Sequence, residues 1–132
     1  IGIKEASGDL VQGREILAGR PNDFFVVSGD DETAIQLIRS GAEGVISVIA
    51  GGFPNLFKSG VQAAIEGDHK KADEIANLVQ SIADLVYSEG NPGGIKAVLT
   101  FRGMIENQLR LPLIPVSDAV RSALKTFVDK YD

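Results

Sequence analysis

A lysine in a short apolar segment is the residue of this sequence best suited to chemistry. Lys4 follows Gly2 and Ile3 in a segment typical of a β-strand. We expect this strand to be buried, and burial lowers the pKa of a lysine because it favours the uncharged amine. That amine attacks a ketone to form an imine, which then withdraws electrons from its neighbours. The residues also allow a lysine whose ammonium group reaches solvent, or one paired with Glu5.

Two further strand ends carry residues that could line a site. Gly29 follows an apolar segment, and its missing side chain lets a ligand approach the backbone, although it could equally serve only the turn. We expect Asp30 and Asp31 to cap the next helix, where Asp is strongly preferred. Ile46 lies in a third apolar segment and could contribute a backbone carbonyl, or serve only as strand core.

Composition argues against several other kinds of site. The chain has no cysteine, which excludes disulfides, thiolate metal sites and a cysteine nucleophile. The single histidine, His69, argues against a Ser-His-Asp triad or a His-rich metal site. The net charge of -5 argues against nucleic-acid binding, and no apolar run is long enough to cross a membrane. Residues 30–32 repel phosphate, and a Mg²⁺ site would have only Glu5 and Asp9 to add at the other strand ends.

The elements that must position these residues alternate between strand and helix. We predict strands at 1–5, 23–27 and 44–49, with helices between them that end near Ala18 and Gly41. Near-continuous apolar segments suit parallel strands buried on both faces, and one helix between successive strands indicates βα units. Three strands cannot close a barrel, and the sequence opens inside a strand. We therefore expect a piece of a longer protein.

After residue 52 the pattern becomes wholly helical. Apolar residues recur at helical spacing, and Pro54 suits the first turn of a helix. The predicted helices run from Pro54 to about Glu66, from a cap at Asp68 to about Ser88, from Ile95 to Arg102, and from a cap at 117–118 to about Tyr131. A proline-stiffened connector at 111–115 precedes the last of them.

Five segments resemble, in order, those of the dihydrodipicolinate synthase family. Residues 2–8 are similar to the segment that carries the Schiff-base lysine of that family, and 28–31 to the turn after its seventh strand. Residues 41–48 resemble its eighth strand with the preceding turn. Parts of its C-terminal helical domain resemble 91–97 and 109–113. The resemblance covers essentially the whole chain.

The resemblance implies an α/β fold, the C-terminal part of a TIM (β/α)8 barrel. About three βα units would be followed by a C-terminal helical domain. Residues 1–52 would hold the last three barrel strands with their helices. Residues 53–132 would hold the final barrel helix and the helical domain.

The resemblance also implies a function. The family condenses pyruvate with aspartate semialdehyde in the diaminopimelate branch of lysine biosynthesis. Lys4 would form the imine with pyruvate, while the Gly29 backbone and the Ile46 carbonyl would line the pyruvate pocket. No metal or organic cofactor, nucleic acid or membrane is implied. The family is cytoplasmic and usually a homotetramer built from tight dimers.

Two departures and two alternatives accompany this interpretation. The chain has Gly51 and Gly52 where members often have an asparagine, and it lacks the first five strands, which carry paired threonines, a catalytic tyrosine and an arginine. Its own Tyr87 and Tyr131 receive no catalytic role. We therefore expect these residues alone to be inactive. An N-acetylneuraminate lyase or keto-deoxy-sugar aldolase would use the same lysine chemistry. A catalytically silent folding or assembly unit is the alternative of another class.

Overall fold

A computed structural model describes residues 1–131 as three strands and seven helices. The elements are β1 (Gly2–Glu5), α1 (Leu10–Gly19), β2 (Phe25–Ser28), α2 (Ala34–Arg39), β3 (Gly44–Val45), α3 (Ile49–Gly52), α4 (Pro54–Glu66), α5 (His69–Val86), α6 (Gly93–Phe101) and α7 (Asp118–Tyr131). The chain separates into two compact units, Ile1–Gln80 and a second that begins at Ser81. Within residues 1–131, no helix combines the length and apolar character that a membrane span requires.

The three strands form one parallel sheet in the order β1-β2-β3, which confirms the predicted βα units. In the β1–β2 register Lys4 lies beside Val27 and Glu5 beside Ser28, which in turn pairs with Val45. β3 is shorter than the predicted 44–49 because the chain leaves the sheet after one further bond, from the Ile46 N–H to the Ser28 carbonyl at 2.8 Å. Residues from Ile49 onward form the short helix α3 instead.

The sheet has one covered face and one exposed face. Val26 and Ser28 of β2 are fully buried, whereas Phe25 of the same strand is 60% exposed. Successive residues of a strand point to opposite faces, and α2 packs on β2 from one side. The prediction that these strands are buried on both faces is therefore wrong for the described residues, because a three-stranded sheet leaves its second face to solvent.

The core of the first unit lies where α2, α4 and α5 meet. Ile35 and Leu37 of α2 are almost completely buried, as are Phe57 of α4 and Val79 of α5. Full burial of such a side chain stabilises a fold by about 1.5–3 kcal/mol. Gly60 lets α4 lie close to α2 and α5, because a Cβ there would lie 2.6 Å from a methyl group of Ile75 and 2.8 Å from one of Ile35.

Local signals mark where three helices of this unit begin. Asp9 accepts hydrogen bonds from the Val11 and Gln12 amides and starts α1. Pro54 occupies the first turn of α4, and Asp68 accepts from the Lys71 amide at the start of α5, both as predicted. α4 ends at Gly67, whose φ of 78° lies in the left-handed region that glycine tolerates.

The second unit contains the end of α5, together with α6 and α7. Its core is formed by apolar side chains of all three helices: Ile82, Ala83, Val86, Ile95, Ala97, Val98, Leu124 and Val128. α6 begins at Gly93, two residues before the predicted Ile95. Residues 111–115 form neither helix nor strand and are exposed, in agreement with the predicted connector. Ser117 precedes α7, and its hydroxyl accepts from the Val120 amide at 3.4 Å.

Candidate active site

Lys4 lies at the carboxyl end of β1, on the exposed face of the sheet. Its own backbone pairs with Val27, and its side chain is exposed. The expected burial of this lysine is therefore wrong for residues 1–131. Its strand is the edge of a three-stranded sheet and has a neighbour on one side only. The predicted position at a strand end, by contrast, is what the structure shows.

Gly29 contacts the side chain of Lys4 directly. It follows β2, and its N–H donates to the carbonyl of Glu5 at 2.7 Å. A Cβ at Gly29 would lie 2.7 Å from Cε of Lys4 and 2.9 Å from its Cγ. Carbon atoms in van der Waals contact stand about 3.5–4.0 Å apart, so a Cβ at this position would displace the lysine stem from where it lies.

Ile46 borders the same site from β3. Ile46 is 60% exposed and, with Lys4 and Val27, lines a shallow cleft of about 260 Å³ that extends along the open sheet face to Phe25 and residues 1–3. The structure thus brings Lys4, Gly29 and Ile46 to one end of one sheet face. Parallel strands direct their carboxyl ends to the same edge, where barrel enzymes build their active sites. The part that each residue takes in binding stays a prediction.

Glu5 is a buried carboxylate that sequence reasoning did not assign to the site. It is 6% exposed and accepts hydrogen bonds from the Ser7 amide at 2.8 Å and from Nε2 of Gln12 at 3.1 Å. Glu5 therefore shapes the loop that follows Lys4. Strand alternation was the available signal, because it sends neighbouring side chains to opposite faces and so separates Glu5 from Lys4.

The two adjacent aspartates have different roles. Asp30 accepts from the amide and the hydroxyl of Thr33, at 2.9 and 2.7 Å, within the turn that precedes α2. The prediction that Asp30 caps α2 is wrong, because α2 begins at Ala34 with Thr33 as its N-cap and no side-chain cap bond. Asp31 is 4% exposed, and its Oδ2 accepts from the amides of Val48 and Ile49 at 3.2 and 3.1 Å. The expectation that Asp31 caps α2 is also wrong, since no side chain among residues 1–131 caps that helix. Nothing local in the sequence indicates a partner 17 residues away.

The opposite end of the sheet is held by an ion pair. Nη1 of Arg20 lies 2.6 Å from Glu43, which also accepts from the Val26 amide at 2.9 Å. The hydrogen bond from Arg20, followed by that from Val26, holds the pKa of the Glu43 carboxyl below its usual value of 4.5. This pair fixes the start of β3 and lies away from Lys4.

The described residues offer little support for a metal centre or for another nucleophilic lysine. Within 1–131, no group of three or more His, Asp or Glu side chains could hold a metal ion. Lys96 donates to the Gln108 carbonyl, and Lys125 pairs with Asp129 at 2.5 Å. Lys4 differs from both because it lines the cleft on the open face of the sheet.

Comparison with known proteins identifies relatives along nearly the whole chain. The 4-hydroxy-tetrahydrodipicolinate synthase of Azobacteroides pseudotrichonymphae is 44% identical over 125 residues, which cover 95% of this chain and 42% of that protein. The chain thus spans about two fifths of the length of such curated relatives.

Solved structures also match nearly the whole chain. Dihydrodipicolinate synthase from Aquifex aeolicus superimposes with a TM-score of 0.92 at 32% identity, over 99% of this chain and 45% of that one. The synthase from Acinetobacter baumannii, described as chloride inhibited and complexed with pyruvate, gives 0.89 at 32% identity, with 99% and 45% coverage.

These structures confirm the predicted fold class. The solved neighbours are TIM (β/α)8 barrels, and the chain forms the C-terminal part of such a barrel, about three βα units, followed by helices. The model of the Dihydrodipicolinate synthetase family matches residues 1–131. The chain belongs to that family.

Proposed function

We propose that this segment supplies the covalent pyruvate site of a Schiff-base lyase. The complete enzyme would condense pyruvate with aspartate semialdehyde in the diaminopimelate route to lysine. The proposal is carried by the position of Lys4, Gly29 and Ile46, which lie together toward the carboxyl ends of the parallel strands. Family membership supports it, as does a matched synthase that is described as complexed with pyruvate.

The proposed reaction begins at Nζ of Lys4. The uncharged amine attacks the ketone carbon of pyruvate, the C–O bond breaks, and water leaves to give an imine. The imine draws electrons from the neighbouring methyl group, which loses a proton and becomes an enamine carbon. That carbon attacks the aldehyde of the second substrate. In this scheme Gly29 keeps space for the lysine stem, and the Ile46 carbonyl orients pyruvate.

The remaining machinery would come from the rest of the barrel. The family resemblance assigns the paired threonines, the proton-relaying tyrosine and the arginine to strands that precede β1. We therefore propose that the complete barrel turns over substrate and that these 132 residues alone do not. The complete enzyme would act in the cytoplasm as a homo-oligomer, a tetramer of the kind usual in the family. A rate for the isolated segment near that of a full-length relative would contradict this.

Borohydride reduction in the presence of pyruvate tests the proposal. In the complete (β/α)8 enzyme that contains this segment, we expect a reduced pyruvate adduct on Lys4, located by mass spectrometry of its peptides. Lys4→Arg should abolish the adduct. Lys96→Arg is the matched control, since Lys96 donates to a backbone carbonyl in the second unit and should leave labelling unchanged. An adduct elsewhere, with Lys4 unmodified, would overturn the proposal.

The second substrate needs a separate assay. An N-acetylneuraminate lyase or a keto-deoxy-sugar aldolase would form the same adduct on Lys4. The names of the relatives favour the synthase. Condensation of aspartate semialdehyde with pyruvate, without cleavage of sialic acid, is the expected result. Cleavage of sialic acid without condensation would exclude the synthase.

A further inference from the structure

We propose that Asp31 is a positioning residue that sets the Ile46 carbonyl for pyruvate binding. This inference rests on the function proposed above. Asp31 follows β2, whereas the turn that it contacts follows β3, so one side chain joins two strand ends of the site. Asp31 itself would touch neither pyruvate nor Lys4, and it would act only through the turn.

The turn after β3 is held on both sides of Ile46. Before it, the Ile46 N–H donates to the Ser28 carbonyl at 2.8 Å and continues the ladder of β2. After it, the amides of Val48 and Ile49 both donate to Oδ2 of Asp31. The peptide group that bears the Ile46 carbonyl lies between these two anchors. Its orientation is therefore set by β2 on one side and by Asp31 on the other.

The next amides close the turn within itself. Ala50 donates to the Ser47 hydroxyl at 2.8 Å, and Gly51 donates to the Val48 carbonyl at 3.0 Å. Asp31 is therefore the side chain from outside the turn that satisfies two of its amides. Because Asp31 is 4% exposed and Ile49 is fully buried, loss of this acceptor would leave amides with little access to water.

The position of the carboxylate oxygen matters here more than its charge. A negative charge near a site for anionic pyruvate opposes binding, whereas an oxygen that accepts two amides fixes the backbone. Asparagine has an oxygen at the same place and no charge. Glutamate keeps the charge and moves the oxygen by one methylene. The two substitutions therefore separate geometry from electrostatics.

Steady-state kinetics of the complete enzyme, per active site counted by borohydride trapping, test the inference. We expect Asp31→Glu to raise the pyruvate KM by about tenfold, which corresponds to a loss of about 1.4 kcal/mol in binding. We expect a smaller change in kcat. Asp31→Asn should keep the pyruvate KM near that of the unsubstituted enzyme. Asp31→Ala, if it folds, should resemble the glutamate variant.

Glu43→Gln is the matched control, because Glu43 also accepts a backbone amide but lies at the other end of the sheet. It should lower stability and leave the pyruvate KM unchanged. An unchanged KM in Asp31→Glu, an equal rise in Asp31→Asn, or an equal rise in Glu43→Gln would overturn the inference. If the unsubstituted enzyme forms no adduct on Lys4, the proposed function itself fails. If it does, only the role of Asp31 is in question.

Discussion

A Cβ at Gly29 would stand 2.7 Å from Cε of Lys4, so a side chain at position 29 would overlap the stem of this lysine. The same Cβ would lie 2.7 Å from Cβ of Ala6, which cannot rotate away. A residue after β2 therefore determines where the stem of a lysine on β1 can lie. The contacts with Lys4 and Ala6, rather than a positive φ, explain why a glycine suits this position.

Gly29→Ala should displace the Lys4 side chain. We expect a loss of stability of about 1–3 kcal/mol, as for other overpacked sites, and slower borohydride trapping of pyruvate by at least about tenfold. Gly19→Ala is the control, because a Cβ at Gly19 meets no atom within 4 Å in the described part of the chain. Trapping at the unsubstituted rate in Gly29→Ala would show that the lysine does not need this space.

The Arg20–Glu43 pair predicts a pH dependence of stability. The pKa of Glu43 is below 4.5 in the folded chain, chiefly because of the hydrogen bond from Arg20. A depressed carboxyl pKa stabilises the fold above the unfolded value, and that contribution disappears as the pH falls through the folded pKa. The free energy of unfolding, measured with urea, should therefore fall less steeply between neutral pH and a pH below 4.5 in Glu43→Gln than in the unsubstituted chain. Parallel curves would contradict the assignment.

Local signals in the sequence predict most of the elements but not the exposure of the sheet. Pro54 and Asp68 mark helix starts by rules that act within one turn, and α4 and α5 begin where these rules place them. Burial of β1 and β2 depends instead on whatever covers the second face of the sheet. Periodicity does not show that partner, and Phe25 lies exposed.

The candidate site was predictable at its strand ends and not in its supporting contacts. Lys4 and Gly29 lie at or just after the ends of two apolar segments and Ile46 lies within a third, and parallel strands bring their carboxyl ends together. The bond between Asp31 and the Val48 amide spans 17 residues and depends on how far β3 extends. Asp31 also looked like a helix cap by its residue type, which hid its longer-range contact.

Neighbouring glycines of α6 make a matched pair for a test of packing in the second unit. A Cβ at Gly94 would lie 2.2 Å from the Val86 carbonyl oxygen, which belongs to the backbone and cannot turn aside. A Cβ at Gly93 would lie 3.0 Å from a methyl group of Val116, which can shift. Both glycines lie at the first two positions of α6, so the contacts rather than helix propensity decide the comparison.

We therefore expect Gly94→Ala to lower the unfolding free energy by at least about 1–3 kcal/mol. Gly93→Ala should change it by less than about 1 kcal/mol. Urea or thermal unfolding of the two variants, side by side, gives the comparison. Equal effects would show that α6 does not approach the end of α5 as closely as the structure describes.

The exposed face of the sheet predicts how the 132-residue chain behaves by itself. Phe25 and Ile46 are each 60% exposed on or beside this face, and β1 and β3 are both edge strands. Apolar surface next to unpaired strand edges favours pairing with another chain. We expect the isolated chain to self-associate, with a weight-average mass that rises with concentration in sedimentation equilibrium.

Phe25→Thr should weaken this association, because it removes apolar area from the exposed face and keeps a residue that suits a strand. Val11→Thr is the control, since Val11 is 64% exposed on α1, away from the sheet edge. The control should associate as strongly as the unsubstituted chain. A monomer at every concentration would remove the assembly role as an alternative for this segment. Equal weakening by both substitutions would place the contact outside the sheet face.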